Sequence, residues 1–262
     1  MNTTGKFLSF LLAIVCLLPS GLQAFAQSGQ NIQASAEELL ALANRERMRE
    51  GLPLFKWDAA LADAALKHTR RMSSEGGAIQ HDYPGELELS ERAGLSGAHF
   101  DLIEENIAVG PTPAAIHDAW MHSKAHRENM LNPQVNRIGI AVLANRGVLY
   151  ATADLSRAVE AFSNAQVEER VAALIARRGV KVLPVHSLAR EACPANRGFP
   201  RVTEGAQPSF VMRWQDSDLS RLPDNLVQQL GSGRYHEAEV GTCQPSGEAG
   251  TFTAYRIAVL LY

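Results

Sequence analysis

This sequence has no long basic run, and 25 Lys and Arg against 28 Asp and Glu leave a net charge of −3. A chain without a basic stripe has no electrostatic footprint for nucleic acid, which is excluded as the main partner. Long apolar runs are missing too. The N-terminal one, Phe7 to Leu18, is about a dozen residues, where a membrane-spanning helix needs roughly 20. Cysteine is scarce, at three in 262 residues. No serine or cysteine nucleophile stands beside a base at motif spacing, which sets covalent catalysis aside. What is present is ordinary globular material, 46% hydrophobic and 20% charged, enough for one large domain or two ordinary ones.

The N-terminus reads as a leader. Lys6 supplies a positive start, Phe7 to Leu18 the apolar run, and Ala24-Phe25-Ala26 a small-x-small cleavage site. That order is the secretory signal pattern. It predicts removal of residues 1–26 and an exported chain, secreted or periplasmic, with no transmembrane segment after cleavage. Cys16 lies inside the apolar run without the small residues that precede a lipoprotein cysteine, so no lipid anchor is read. Cys193 and Cys243 then remain, about 50 residues apart. Two cysteines in an exported protein pair as a rule, and such a loop is worth about 4 kcal/mol when closed. The alternative is two free thiols.

Residues 27–34 are polar and read as a disordered N-terminus. Ser35 and Glu38 form a capping box at the start of a helix that Gly51 and Pro53 end. Asp58 caps a second helix with Leu61, Ala65, His68 and Met72 along one face. On that stripe His68 reads as a packed core histidine, not a ligand. Residues 74–112, rich in glycine and short polar residues, read as loop with a few short elements. Pro113 opens a helix through Trp120. Ile138, Ile140 and Val142, the turn at Asn145-Arg146-Gly147 and the return run Val148 to Leu155 predict a β-hairpin. Residues 159–178 read as a charged helix. Strands follow at 182–185, 209–214, 236–242 and 251–262. Helices first and antiparallel strands later indicate an α+β chain, with a boundary near residue 160. No repeat of the first half is evident in the sequence.

Three segments can carry chemistry: His81-Asp82-Tyr83, Glu104-Glu105-Asn106, and the run from Trp120 to Pro133 that leads into Arg137-Ile138-Gly139-Ile140. They offer histidines and carboxylates at long spacing, the raw material of a metal site or an acid/base pair. His122 and His126 stand at i, i+4, the zincin spacing, but Ser123 occupies the place of the zincin glutamate. His122, His117 and His99 read as solvent-facing. Asn106 and Asn129 read as amides that tie backbone together, and Trp120 as core.

These segments resemble the CAP superfamily of cysteine-rich secretory, antigen-5 and pathogenesis-related proteins, in its bacterial SCP-like form. The stretch LANRERMREGLPLFKWDAALADAALKHTRRM resembles the family's opening helices. Glu105-Asn106 resembles its "EN" motif. Trp120-x-x-Ser123-x-x-His126-Arg127-x-Asn129-x-Leu131, running into an Ile-Gly-Ile strand, resembles its most diagnostic segment. The matches cover about residues 36–157. The resemblance implies a CAP-type α-β-α sandwich over residues 35–158, followed by a smaller α+β accessory module over 159–262. It also implies a cleft in which two histidines and two glutamates can hold a divalent metal. His81, Glu105 and His126 fall on three of those positions, and Ser123 on that of the second glutamate. Two imidazoles and one carboxylate are still a ligand set for zinc, with calcium the alternative divalent metal, and Glu105 can instead act as base on a bound water.

Three functions follow. The first is a binding protein for a lipid, a sterol or an envelope or extracellular protein, favoured by the missing glutamate and the attached module. The second is a metal-assisted, peptidase-like hydrolase using His81, Glu105 and His126. The third is a structural secreted domain whose His/Glu cluster is a stabilising network.

Overall fold

The structure, a computed structural model, describes residues 20–184, 187–202, 205–244 and 252–262. Most of the expected leader, residues 1–19, lies outside them. Helix α1 (Ser20–Arg49) runs through residues 27–34 and Ser35, correcting both the disordered stretch and the cap expected there. No proline interrupts the chain between Pro19 and Pro53, so nothing removes a helical N–H along this stretch. Ala36, Leu39, Ala43 and Arg47 form the buried stripe of α1.

A two-residue strand β1 (Lys56–Trp57) leads into α2 (Ala59–Glu75), where Asp58 accepts hydrogen bonds from the Ala60 and Leu61 amides. Leu61, Ala65, His68 and Met72 are buried along α2, as their spacing predicts. Helix α3 (Leu89–Leu95) and strand β2 (Phe100–Gly110) follow. An eleven-residue strand thus stands where a loop was expected. Glu104-Glu105-Asn106 interrupts its apolar pattern, and pairing with β4 holds it extended.

Helix α4 (Pro113–His122) is capped by Thr112. Helix α5 (Lys124–Leu131) precedes the hairpin of β3 (Arg137–Asn145) and β4 (Val148–Ala158). The hairpin turns on Arg146 (φ 51°) and Gly147 (φ 82°), the paired positive angles of a type I′ turn. The first sheet has the order β1-β3-β4-β2, with β1 parallel to β3 and the other pairs antiparallel.

Side-chain alternation gives this sheet two unlike faces. Ile138, Ile140, Ala153 and Leu155 pack with Leu39, Ile116 and Trp120 in the main core. Gly139, Thr152, Asp154 and Glu105 point the other way, toward α2, where Thr69 Oγ1 donates to Thr152 Oγ1 at 2.8 Å. Helices on both faces make an α-β-α sandwich.

The chain continues with α6 (Asn164–Ala176), which carries a Ser163/Gln166 capping box, then β5 (Lys181–Val182), α7 (Ser187–Ala192) and β6 (Phe210–Asp216). It ends with α8 (Asp224–Leu230), β7 (Glu237–Cys243) and β8 (Tyr255–Leu261). Val167, Val171, Ile175, Leu226, Val240, Ile257 and Val259 form a separate core. Cys193 and Cys243 are joined in a disulfide, their Cα atoms 5.8 Å apart. The fold is α+β throughout.

The second sheet has the order β5-β7-β8-β6, with β5 parallel to β7 and the rest antiparallel. This is the first sheet's topology strand for strand. The absence of a repeat in the sequence reading is corrected here. The recurrence lies in strand order and packing, and the side chains differ at almost every site.

Candidate cleft at the edge of the first sheet

Strand β2 is an edge strand, so its two faces meet just beyond it, and residues from both sides of the sandwich gather there. Glu105 points toward α2 and is almost wholly buried, its side chain 4% exposed. One oxygen accepts from His81 Nδ1 at 2.8 Å. The other accepts from the buried guanidinium of Arg92, on α3. His68, fully buried on α2, bonds Glu86 Oε1 through Nδ1 at 2.9 Å and the Gln80 carbonyl through Nε2 at 3.1 Å. It therefore steadies the loop that carries His81.

His126 comes from the opposite side, on α5. Its ring centroid lies 6.3 Å from that of His81. Helix α5 is fixed by amides and one arginine. Asn106 Nδ2 donates to the His126 carbonyl at 2.9 Å, and Asn129 Nδ2 to Asn106 Oδ1 at 3.0 Å. Buried Arg47 donates to the carbonyls of Met130, Asn132 and Val135, each at 3.0 Å. The spent end of α5 is thereby capped by a cation, which suits the negative end of a helix.

The geometry joins His81 and Glu105 directly and sets His126 beside them. Ser123 is placed differently. It is the extended joint between α4 and α5, and its side chain makes no cap hydrogen bond. That break also separates His122 from His126. His122 ends α4 and bonds the Asp118 carbonyl, so the i, i+4 pair shares no helix face. Trp120 is core, with no exposure at all. His117, expected in solvent, is 7% exposed, because it lies on the side of α4 that packs against α1.

Arg92 and Asp154 are the cleft residues that sequence reasoning missed. Asp154 is opposite both Glu105 and Gly139 in the ladder. It has no exposure, and neither carboxyl oxygen has a hydrogen-bond partner among the described residues. Burial, then the charge of Glu105, pushes its pKa well above the usual carboxylate range. One guanidinium stands among three carboxyl groups, Glu86, Glu105 and Asp154, and it lowers the pKa of Asp154 less than burial and Glu105 raise it.

The two imidazoles are moved in opposite directions. The hydrogen bond to Glu105 raises the pKa of His81. Burial, then the charge of His81, lowers that of His126. The cleft thus sets an imidazole biased toward its charged form beside one biased toward its neutral form. A separate cavity of about 720 Å³ lies between β2 and α5, lined by Glu104, Arg127, Asn129 and Asn132 among others but not by His81, Glu105 or His126.

Residues 40–155 match the model of the family described as CAP, the Cysteine-rich secretory protein family. These residues are a CAP domain. Across 119 residues the chain is 28% identical to the uncharacterized protein YkwD of Bacillus subtilis (strain 168), a match over 45% of this chain and 46% of that protein. The chain therefore spans less than half the length of that relative. An extracellular protein containing a SCP domain from Bacillus anthracis str. Ames is 29% identical, over 50% of this chain and 43% of that one, with a TM-score of 0.47. An outer surface protein from Borrelia burgdorferi is 20% identical over 48% of this chain and 93% of that one, with a TM-score of 0.44.

The cleft of this CAP domain does not fit a divalent cation. Both oxygens of Glu105 are engaged, one by a guanidinium, and Ser123 brings no carboxylate. Only two imidazoles remain, against the three protein ligands of an open zinc site. Among the described residues no three His, Cys, Asp or Glu are arranged to hold a metal. Nor is any helix among them long and apolar enough to cross a membrane.

Proposed function

We propose that the chain is an exported binding protein, secreted or periplasmic, whose CAP domain takes a lipid, sterol or protein ligand at His81, Glu105 and His126. Residues 159–262 are its accessory unit. The observation that carries this reading is the double engagement of Glu105. A carboxylate held by Arg92 and His81 is a poor base for water, but it fixes the His81 ring with Nε2 outward. When the ring is charged, Nε2–H donates to a carboxyl or carbonyl of the ligand; when it is neutral, Nε2 accepts from a ligand hydroxyl, and His126 offers a second ring nitrogen beside it. The cavity between β2 and α5 is of ligand size, and the leader pattern agrees with export.

A hydrolytic reading draws on a different observation. Two neighbouring imidazoles with pKa values moved apart are the usual makings of an acid/base pair.

Titration of oleate, of cholesterol and of zinc into the exported chain, beside the His81→Ala/His126→Ala variant, separates the two. Oleate or cholesterol binding that the double substitution weakens about tenfold or more, the size of one charged hydrogen bond, supports the binding reading. Lipid binding that persists unchanged removes the cleft from it. One-to-one zinc binding lost in the variant, together with peptide cleavage, would put the hydrolase in its place.

A further inference from the structure

The recurrence of strand order extends to individual positions. In the first sheet, Asp154 on the central strand pairs with Glu105 on one side and Gly139 on the other. In the second, Ala258 pairs with Arg213 and Gly241. The glycines verify the alignment. A Cβ on Gly139 would sit 2.1 Å from the Ala62 amide near the start of α2. One on Gly241 would sit 2.3 Å from the Arg190 amide of α7. Each glycine lets its helix lie directly on the sheet, so α7 corresponds to α2, and Arg213 stands where the first sheet has Glu105.

The surroundings correspond as well. Glu105 reaches α2 and the loop after it, through His68 and His81. Arg213 reaches the end of α7 and the loop after it, its Nε donating to the Ala192 carbonyl at 2.5 Å and its Nη2 to Gly198 at 3.0 Å. Beside it lies a cavity of about 450 Å³ whose lining includes Asn196, Arg197, Phe199, Phe210, Arg213 and Asn225. Strand β6, the loop after α7 and the start of α8 supply its walls, as β2, the loop after α2 and α5 do for the first cleft.

The charge is inverted. Among the described residues no carboxylate lines this cavity. No Asp or Glu among the described residues pairs with Arg213, whose hydrogen bonds go to carbonyls through Nε and Nη2 and leave Nη1 without a protein acceptor. Phe199 is 58% exposed at the rim. An arginine offering donors in the same cavity as an exposed aromatic ring suits an anion attached to an apolar body.

We propose that the second sheet carries its own ligand site, an anion-binding cleft that takes a carboxylate or phosphate monoester borne on an aromatic or acyl group. Arg213 and Arg197 receive the anion, Asn225 adds an amide, and Phe199 and Phe210 receive the apolar part. The site is independent of the His81 cleft and of the function proposed for it.

Phenyl phosphate, benzoate and benzyl alcohol, titrated calorimetrically into the whole exported chain, test this. At least one charged probe is expected to bind one-to-one, and benzyl alcohol not. Arg213→Gln is expected to weaken binding about tenfold or more, the loss of one charged hydrogen bond, with His81→Ala leaving it unchanged. Phenyl phosphate or benzoate alone would identify which anion the site prefers. Should Arg213→Gln fail to fold, the exposed-loop variants Arg197→Glu and Phe199→Ala carry the test, each expected to weaken binding severalfold. No binding of either charged probe, equal binding of benzyl alcohol, binding indifferent to the loop variants, or loss on His81→Ala would overturn the proposal.

Discussion

The two sheets share a strand order and a way of seating one helix on a glycine, and they differ in what they place at the open edge. In the first, Glu105 sits over a buried carboxyl and is held by Arg92 and His81. In the second, Arg213 sits over Ala258 and is held by carbonyls. Topology decides where a cleft opens, because it decides which strand is the edge and which loop covers it. The residue at one ladder position decides what sign of charge the cleft presents. The scaffold is common property of the two halves, and the chemistry is local.

The sharpest way to break this comparison is at the glycines. Gly139→Ala and Gly241→Ala each push a methyl into helix backbone, and each is expected to cost about 3 kcal/mol or more in urea unfolding. A large loss at Gly139 with a negligible one at Gly241 would end the positional equivalence.

A smaller effect is expected at Asp154, which has no acidic counterpart in the second sheet. Its folded pKa is raised, so its contribution to stability is full below the unfolded value and is lost as pH rises. Asp154→Asn keeps the shape of the protonated acid and removes that loss. It is expected to raise the melting temperature at pH 7 by about 2–4 °C, the response to 1 kcal/mol in a chain of this size, and to leave it unchanged near pH 3, below the ordinary carboxylate value of about 3.9. A lower melting temperature at pH 7 would show that Asp154 is ionised.

The smallest is a matter of order. Proton NMR titration is expected to find His81 above His126, and Glu105→Gln to bring them together. The stabilisation from His81 is full below the ordinary histidine value, about 6.5, and is lost as pH rises through its raised one. His126 acts oppositely, costing stability as pH falls below the ordinary value. Reversed order would mean that Glu105 does not govern His81.

Much of the scaffold is legible in the chain. The α2 stripe, the hairpin with its glycine turn and the pairing of Cys193 with Cys243 all rest on local spacing or on compartment. His81, Glu105 and His126 are found through motif resemblance, and the structure sets them together. What escapes is long-range. Strand β2 is hidden by its own acidic centre and exists through pairing with β4. Arg92 and Asp154 look like surface charges until the fold buries them against each other's neighbours. His117 reads as polar until α1 covers it. The second copy of the topology leaves almost no trace, since strand order is set by packing and tolerates wholesale change of side chains.

Near the end of the chain, Thr253 bonds the start of β2 twice. Its amide donates to the Phe100 carbonyl at 2.7 Å, and its hydroxyl accepts from the Phe100 amide at 3.1 Å. Phe252 meets the Phe100 ring edge-on, with centroids 5.5 Å apart. During synthesis these partners are separated by about 150 residues, and the second emerges long after the first. The edge that frames the first cleft thus stays unfastened until synthesis has passed residue 253, and any chain shortened before residue 252 lacks that latch.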